Sequence, residues 1–187
     1  MFSDAMTAGV NPGGLQSRTE LRVLICYLLH NSSVPLPLDS VKERLHFEGI
    51  ANYFETAYAI AELEENGTIR SVEEENGKKY YVSTDECDNI AVTLGNSVPF
   101  SVRESALEIA DKISDRNRNE RENRVLKEKC DNGVYITCSV MDRELELVTV
   151  KLLVPDDETA ETVKENFLNS PVDVLVNATA GLTGTKI

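Results

Sequence analysis

The chain has 187 residues, of which 41% are hydrophobic and 27% are charged, a balance that is typical of globular proteins and excludes a disordered or fibrous chain. Its formal net charge of −13 disfavours nucleic-acid binding unless positive charge is concentrated locally. Because no apolar run approaches the ~20 residues of a membrane span and residues 1–17 lack the pattern of a secretory signal, we expect a cytoplasmic protein without membrane contact.

The four cysteines do not form a metal-binding or catalytic pattern. Cys26, Cys87, Cys130 and Cys138 include no Cys-x-x-Cys pair, and the chain has two histidines, so we expect reduced, structural thiols rather than a zinc site. No Ser, Cys or Lys nucleophile has a histidine neighbour, and no glycine-rich phosphate loop is present. The sequence therefore predicts a protein that is not an enzyme and that holds no metal or cofactor.

The first half of the chain has the pattern of three helices. Residues 1–18 are rich in turn-forming residues and are predicted to form an N-terminal arm. Helical spacing of four apolar residues then predicts a first helix, ending near His30: Leu21, Leu24, Ile25 and Leu28. Ser40 and Glu43 fit a capping box that opens a short second helix, and Asn52 is the predicted cap of a third helix that stops at Asn66-Gly67.

A hairpin is predicted to follow the third helix. Residues 68–73 and 78–83 are prone to form strands, and Asn76-Gly77 between them is the pair that a type I′ turn prefers. Three helices followed by such a hairpin is the order of a winged helix-turn-helix. We therefore predict a winged-helix domain over residues 19–98, with the hairpin as its wing.

The second half is predicted to form a small α/β domain. Residues 99–130 have the pattern of a connecting helix and a polar linker, in which residues 114–124 contain no apolar side chain and mark the boundary between the halves. Residues 131–187 then suggest two strands, a helix and a strand at 172–176. The predicted fold class is α+β, a winged helix followed by a ββαβ domain, although residues 172–176 also fit a helical period.

Four segments of the sequence together resemble a clostridial family of unknown function. They are Gly13-Gly14-Leu15, Leu24-Ile25-Cys26-Tyr27, Ala51-Asn52-Tyr53-Phe54-Glu55 and Val98-Pro99-Phe100-Ser101-Val102-Arg103-Glu104. The resemblance covers most of the chain. It implies a winged-helix N-terminal half similar to those of small bacterial transcriptional regulators, followed by a compact α/β half, and it implies no catalytic residues.

The predicted module has residues with the chemistry of DNA contacts, but it also has a strongly acidic third helix. In the usual docking, this helix enters the major groove while the wing touches phosphates. The candidate contacts are Lys42, Arg44, Asn52, Thr56, Arg70, Lys78 and Lys79. Against them, no Lys or Arg lies between Arg44 and Arg70, where five glutamates occur. The alternative interpretation is a solvated surface.

Three aromatic residues make the third helix apolar almost all the way round. Tyr53, Phe54 and Tyr58 are candidate interface residues, because a helix that is apolar on every side is normally buried. A second copy, the C-terminal half or another protein could cover it, and packing in the core alone is the equal alternative. Two hypotheses follow. The protein is a winged-helix DNA-binding transcriptional regulator that acts as a homodimer, or it is a winged-helix-derived protein-interaction module that no longer binds DNA.

Overall fold

A computed structural model of the protein describes residues 6–73 and 77–184. The chain is mixed α+β, which confirms the predicted class, and it divides into two compact units, Met1–Ser114 and Asp115–Ile187. Within the described ranges, no helix is both long enough and apolar enough to cross a membrane.

The first and third helices begin at side-chain caps. Helix α1 (Arg18–Asn31) follows Ser17, whose side chain accepts a hydrogen bond from the backbone N–H of Glu20. Helix α3 (Tyr53–Glu65) follows Asn52, as predicted, and the Asn52 side chain accepts from the backbone N–H groups of Phe54 and Glu55. These bonds satisfy amides that have no partner within the helix. The four apolar residues that predicted α1 are all buried in the core of the first unit.

Helix α2 (Leu38–Phe47) begins earlier than the predicted capping box at Ser40, and it has no side-chain cap. The prediction was wrong because a tertiary contact sets the helix start. The backbone N–H and carbonyl of Leu36 both bond to Tyr81, at 2.9 and 2.8 Å. This bridge fixes the chain immediately before the helix, and the buried Leu38 side chain then packs into the core.

The hairpin consists of β1 (Ile69–Glu73) and β2 (Lys79–Ser83), which pair antiparallel from Ile69 opposite Ser83 to Glu73 opposite Lys79. Of the predicted Asn76-Gly77 turn, Asn76 lies outside the described residues, while Gly77 has a φ of +77°. Ile69 and Tyr81 join the core of the helices. The hairpin is therefore attached to the helical layer at its base.

Two further helices complete the first unit. Helix α4 (Asp85–Leu94) was not predicted; Thr84 caps it by accepting a hydrogen bond from the backbone N–H of Cys87. Helix α5 (Phe100–Glu122) begins where a helix was predicted and continues through most of the polar stretch. The division between the two units falls within this helix.

The second unit begins with a strand that the sequence analysis placed in the polar linker. Strands β3 (Arg124–Cys130), β4 (Gly133–Asp142) and β5 (Leu145–Val154) form an antiparallel sheet in that order. All of β3 is exposed or half-exposed. The sequence analysis missed it because its charged residues interrupt the alternation of apolar and polar side chains that indicates a strand. Backbone pairing with β4 holds this segment in the sheet.

Two helices cover one face of this sheet. Helices α6 (Asp157–Asn169) and α7 (Pro171–Thr183) share a hydrophobic cluster with β4. The predicted strand at 172–176 is wrong, and the order is βββαα rather than ββαβ. Pro171 favours a helix start, because it needs no amide partner there. Val174 and Leu175 then pack against the cluster from the helix.

Candidate functional site

The most exposed aromatic side chains of the predicted interface lie on α3. Phe54 and Tyr58, one turn apart, are 70% and 56% exposed, so the core covers only part of this apolar helix. Tyr53 is half-buried, and its ring meets that of Phe54 edge to face at 5.4 Å between centroids. We call Tyr53, Phe54 and Tyr58 the aromatic surface. Exposed aromatic clusters of this kind are typical of protein contact sites.

Phe47, at the end of α2, adds to this exposed aromatic character, and sequence reasoning missed it. It is 78% exposed, and its neighbour His46 meets the Tyr53 ring at 6.3 Å. The spacing of the apolar residues in α2 could have predicted the exposure of Phe47. Val41 and Leu45 define the inward side of α2, and a residue two positions beyond Leu45 points away from it.

Asn52 and Thr56, the candidate base-reading residues, are both buried. The Asn52 carbonyl oxygen caps α3, and its amide donates to the backbone carbonyl of Ala8 at 2.7 Å. The Thr56 hydroxyl donates to the Asn52 backbone carbonyl at 2.8 Å. Both side chains are thus occupied within the first unit, and neither is presented to a ligand at the surface.

The cations on α2 are engaged by neighbouring carboxylates and rings. Lys42 pairs with Asp39 and lies 5.1 Å from the centre of the Tyr53 ring. Arg44 pairs with Glu48 at 2.9 Å and lies 5.1 Å from the centre of the Phe47 ring. Their charges are therefore partly neutralised within the same helix and at its end, which weakens their attraction for phosphate.

The hairpin carries the remaining candidate cations. Lys79 donates to Glu64 of α3 at 2.8 Å, and hydrogen bonds from Lys79 and Ser71 lower the pKa of the Glu64 carboxyl group. Arg70 and Lys78 are exposed, on β1 and immediately before β2. The hairpin thus presents positive charge beside an acidic helix rather than in a continuous basic surface.

The N-terminal arm is attached to the start of α3. Glu55 is 8% exposed in its side chain and accepts from Arg18 Nε at 2.8 Å and from the backbone N–H of Met6 at 3.0 Å. Farther along the arm, the amide of Leu15 donates to the carbonyl of Ile50. Hydrogen bonds from Arg18 and then Met6 lower the pKa of the Glu55 carboxyl group.

We expect Glu55→Gln to lower the free energy of unfolding by about 1–2 kcal/mol at neutral pH, because Arg18 loses its charged partner. The wild-type advantage should be fully present above the ordinary pKa of 4.5 and be lost as the pH falls through the lower folded-state pKa. Urea unfolding from pH 7 downwards would measure this. Glu65→Gln, at an exposed position of the same helix, is the control; a difference between Glu55→Gln and wild type that does not change with pH would contradict the assignment.

The charged run at the start of the second unit is largely paired. Arg116 of α5 binds Glu165 of α6 at 2.6 and 2.8 Å and Glu120 at 3.2 Å. Lys127 of β3 contacts both Asp157 and Glu161 of α6. These ion pairs therefore hold α6 against α5 and β3 within the second unit.

Two buried cysteines and Asp156 make contacts within the fold. The side chains of Cys26 and Cys87 are buried beside each other, and this hydrogen-bonded contact together with burial raises the pKa of the Cys26 thiol. Asp156, immediately before α6, caps that helix by accepting a hydrogen bond from the Thr159 amide at 2.7 Å. Across residues 6–73 and 77–184, no three His, Cys, Asp or Glu side chains form a group that could hold a metal ion.

The arrangement is that of an α+β protein with exposed aromatic side chains on α3. Residues 21–181 match the family described as Domain of unknown function (DUF4364), and the chain belongs to this family. The match agrees with the expected membership of a family of unknown function. No curated protein and no solved structure matched the chain.

Proposed function

We propose that the first unit is a winged helix-turn-helix module that contacts another protein through the aromatic surface of α3. Support for the winged-helix assignment comes from the order of elements, three helices and then an antiparallel hairpin. The Leu36–Tyr81 bridge adds support, because it holds the base of the hairpin against the segment between α1 and α2. In such a module α3 occupies the position of the recognition helix.

The exposure of Phe54 and Tyr58 on this helix is the observation that carries the proposal. Large aromatic side chains contribute most of the binding energy in many protein interfaces, whereas groove-reading helices present basic and amide side chains. Here the candidate amide, Asn52, is buried in the helix cap. No Lys or Arg occurs between Arg44 and Arg70, so α3 itself offers no cation to the DNA backbone.

The charge around the aromatic surface indicates the chemistry of the partner. Two cations beside the rings are engaged: Arg18 lies 5.1 Å from the centre of the Tyr58 ring and binds Glu55, and Lys42 beside Tyr53 pairs with Asp39. Glu48 is paired with Arg44, whereas Glu65, at the end of α3, is exposed and the whole chain is acidic. An apolar groove bordered by basic side chains would complement this surface. The partner we propose is therefore a protein with such a groove, and not nucleic acid.

The hairpin favours a second candidate function, the DNA-binding regulator predicted from the sequence. Arg70 and Lys78 are exposed at positions from which a wing contacts phosphates. Binding through these residues alone would be weak, independent of base sequence and strongly dependent on salt. The two candidates therefore predict different responses to salt and to substitutions on α3.

Site-specific photocrosslinking in the native host cell tests the protein-contact proposal. A benzophenone amino acid in place of Phe54 should give a defined adduct with a second protein, whereas the same amino acid in place of Val92, equally exposed on α4, should not. The captured protein is then purified. We expect Phe54→Ala with Tyr58→Ala to weaken its binding by about 100-fold, which is typical of two interface hot spots, and Val92→Ala to leave it unchanged.

A parallel DNA-binding measurement distinguishes the second candidate. Purified protein is titrated with mixed genomic fragments at low and physiological salt, alongside the Lys78→Glu, Lys79→Glu variant. We expect no binding at physiological salt. Binding there that is lost in the lysine variant but kept in the Phe54→Ala, Tyr58→Ala variant would overturn the protein-contact proposal in favour of a DNA-binding wing.

A further inference from the structure

The second unit has an unpaired strand edge. In the order β3–β4–β5, strand β5 pairs with β4 along one side, and no strand within the described residues pairs with its other side. Strand β5 is ten residues long and contains no proline. Its outer row of backbone amides and carbonyls can therefore pair with another strand over a considerable length.

The apolar layer of the sheet is also open at this edge. Val148, Val150 and Leu152 of β5 lie opposite Val140, Cys138 and Ile136 of β4 in the sheet register. The three β4 residues are buried beneath the helices, whereas Val148 and Val150 are half-exposed and Leu152 is 44% exposed. Burial of this apolar row thus decreases from β4 to β5, where Val154 is the one buried residue of the strand.

Helix α7 extends the apolar character beside the strand. It contacts both β4 and β5, and Asp173 is its single charged residue. Only Pro171 of this helix is buried; Val172 is exposed, and Leu182 is 88% exposed. A helix with one charged residue, most of whose surface is left exposed in the monomer, is typical of a subunit interface.

We propose that β5 and α7 form the interface of a homodimer, in which the two β5 strands pair antiparallel into one six-stranded sheet. A two-fold axis makes the edge its own complement, because the same donors and acceptors face each other from both copies. The apolar row of β4 and β5 then continues into the second copy. Between two chains of net charge −13, a weakly charged surface is also the one that avoids like-charge repulsion.

Charge complementarity supports a second copy as the occupant. The two charged residues of β5 are Glu146 and Lys151, the second and the seventh of its ten residues. Both lie on the face away from the helices, where Glu146 accepts from Ser139 and Lys151 pairs with Glu128. Antiparallel pairing centred on the strand brings Glu146 of each copy towards Lys151 of the other, which stabilises the cross-strand contact.

Light scattering of the full chain at micromolar concentration should give twice the mass of one chain. We expect Leu152→Lys to weaken the dimer by about 100-fold, because it places an unpaired charge in the buried interface. Leu126→Lys is the matched control on the opposite edge strand, β3, where Leu126 is 54% exposed; it should remain dimeric. A monomeric wild type, or a Leu152→Lys variant that is folded and dimeric, would overturn the proposal.

A crosslinking experiment remains decisive even if Leu152→Lys fails to fold. Leu147→Cys, Thr149→Cys and Lys151→Cys are introduced singly at exposed positions of β5, in a Cys130→Ser background that removes the exposed thiol of β3. Mild oxidation should link at least one variant into a covalent dimer, because facing residues near the two-fold axis come within disulfide reach. The unsubstituted chain, with Cys130 on the other edge, should stay unlinked. Absence of linkage in all three variants would place any dimer contact elsewhere and overturn the proposal.

Discussion

Replacement of Gly133 by alanine is expected to destabilise the second unit by about 3–5 kcal/mol, from an unfavourable backbone conformation and a steric clash together. Gly133 begins β4 with a φ of +137°, and a Cβ atom there would lie 2.1 Å from the carbonyl oxygen of Val154. Val154 ends β5 and pairs with Val134. The clash is therefore with paired backbone, which cannot move aside without breaking the end of the sheet.

Urea unfolding monitored by amide hydrogen exchange would measure this loss of stability, because hydrogen exchange reports on the two units separately. Gly67→Ala is the control for conformation alone, because Gly67 has a φ of +74° and open space around its Cα; it should cost about 1–2 kcal/mol. Equal losses for the two variants would show that the β5 backbone can shift to accommodate the methyl group. Such a result would contradict the tight β4–β5 junction.

Leu24→Ala should destabilise the first unit by about 3–5 kcal/mol, the range for a large apolar side chain removed from a well-packed core. Leu24 is fully buried in α1, within the core cluster that also contains Ile60 and Leu63 of α3. A loss of this size is a large fraction of the stability of a typical domain. Because this core also supports α3, we expect partner binding through the aromatic surface to weaken in parallel.

Thermal and urea unfolding of the variant would measure the change, with Leu94→Ala as the matched control. Leu94, at the end of α4, is 44% exposed, so its truncation should cost less than about 1 kcal/mol. A Leu24→Ala variant as stable as Leu94→Ala would mean that α1 does not form the centre of this core. Retention of partner binding by an unfolded first unit would separately contradict the α3 contact.

The candidate surface was predictable in part. The distribution of Tyr53, Phe54 and Tyr58 around a helix indicated burial either in the core or against a partner, and the structure leaves Phe54 and Tyr58 exposed. The role of Asn52 shows what could not be predicted from the sequence. Its position predicted both a helix cap and a base contact, and the cap uses the same side-chain oxygen that a base contact would need. Whether a polar side chain is free for a ligand depends on neighbours distant in sequence, here Ala8 of the arm.

The sequence by itself determined the elements whose signals are local. Helices α1, α3 and α6 and the hairpin strands followed from periodicity and turn residues, because those signals arise from contacts within a few residues. Only the tertiary structure decided the start of α2, the existence of β3 and the helical state of α7. A backbone bridge between Leu36 and Tyr81 sets the start of α2. Pairing with β4 holds β3 in the sheet, and packing on the sheet keeps α7 helical. Each depends on a partner far along the chain, whose free energy of contact outweighs the weak local preference.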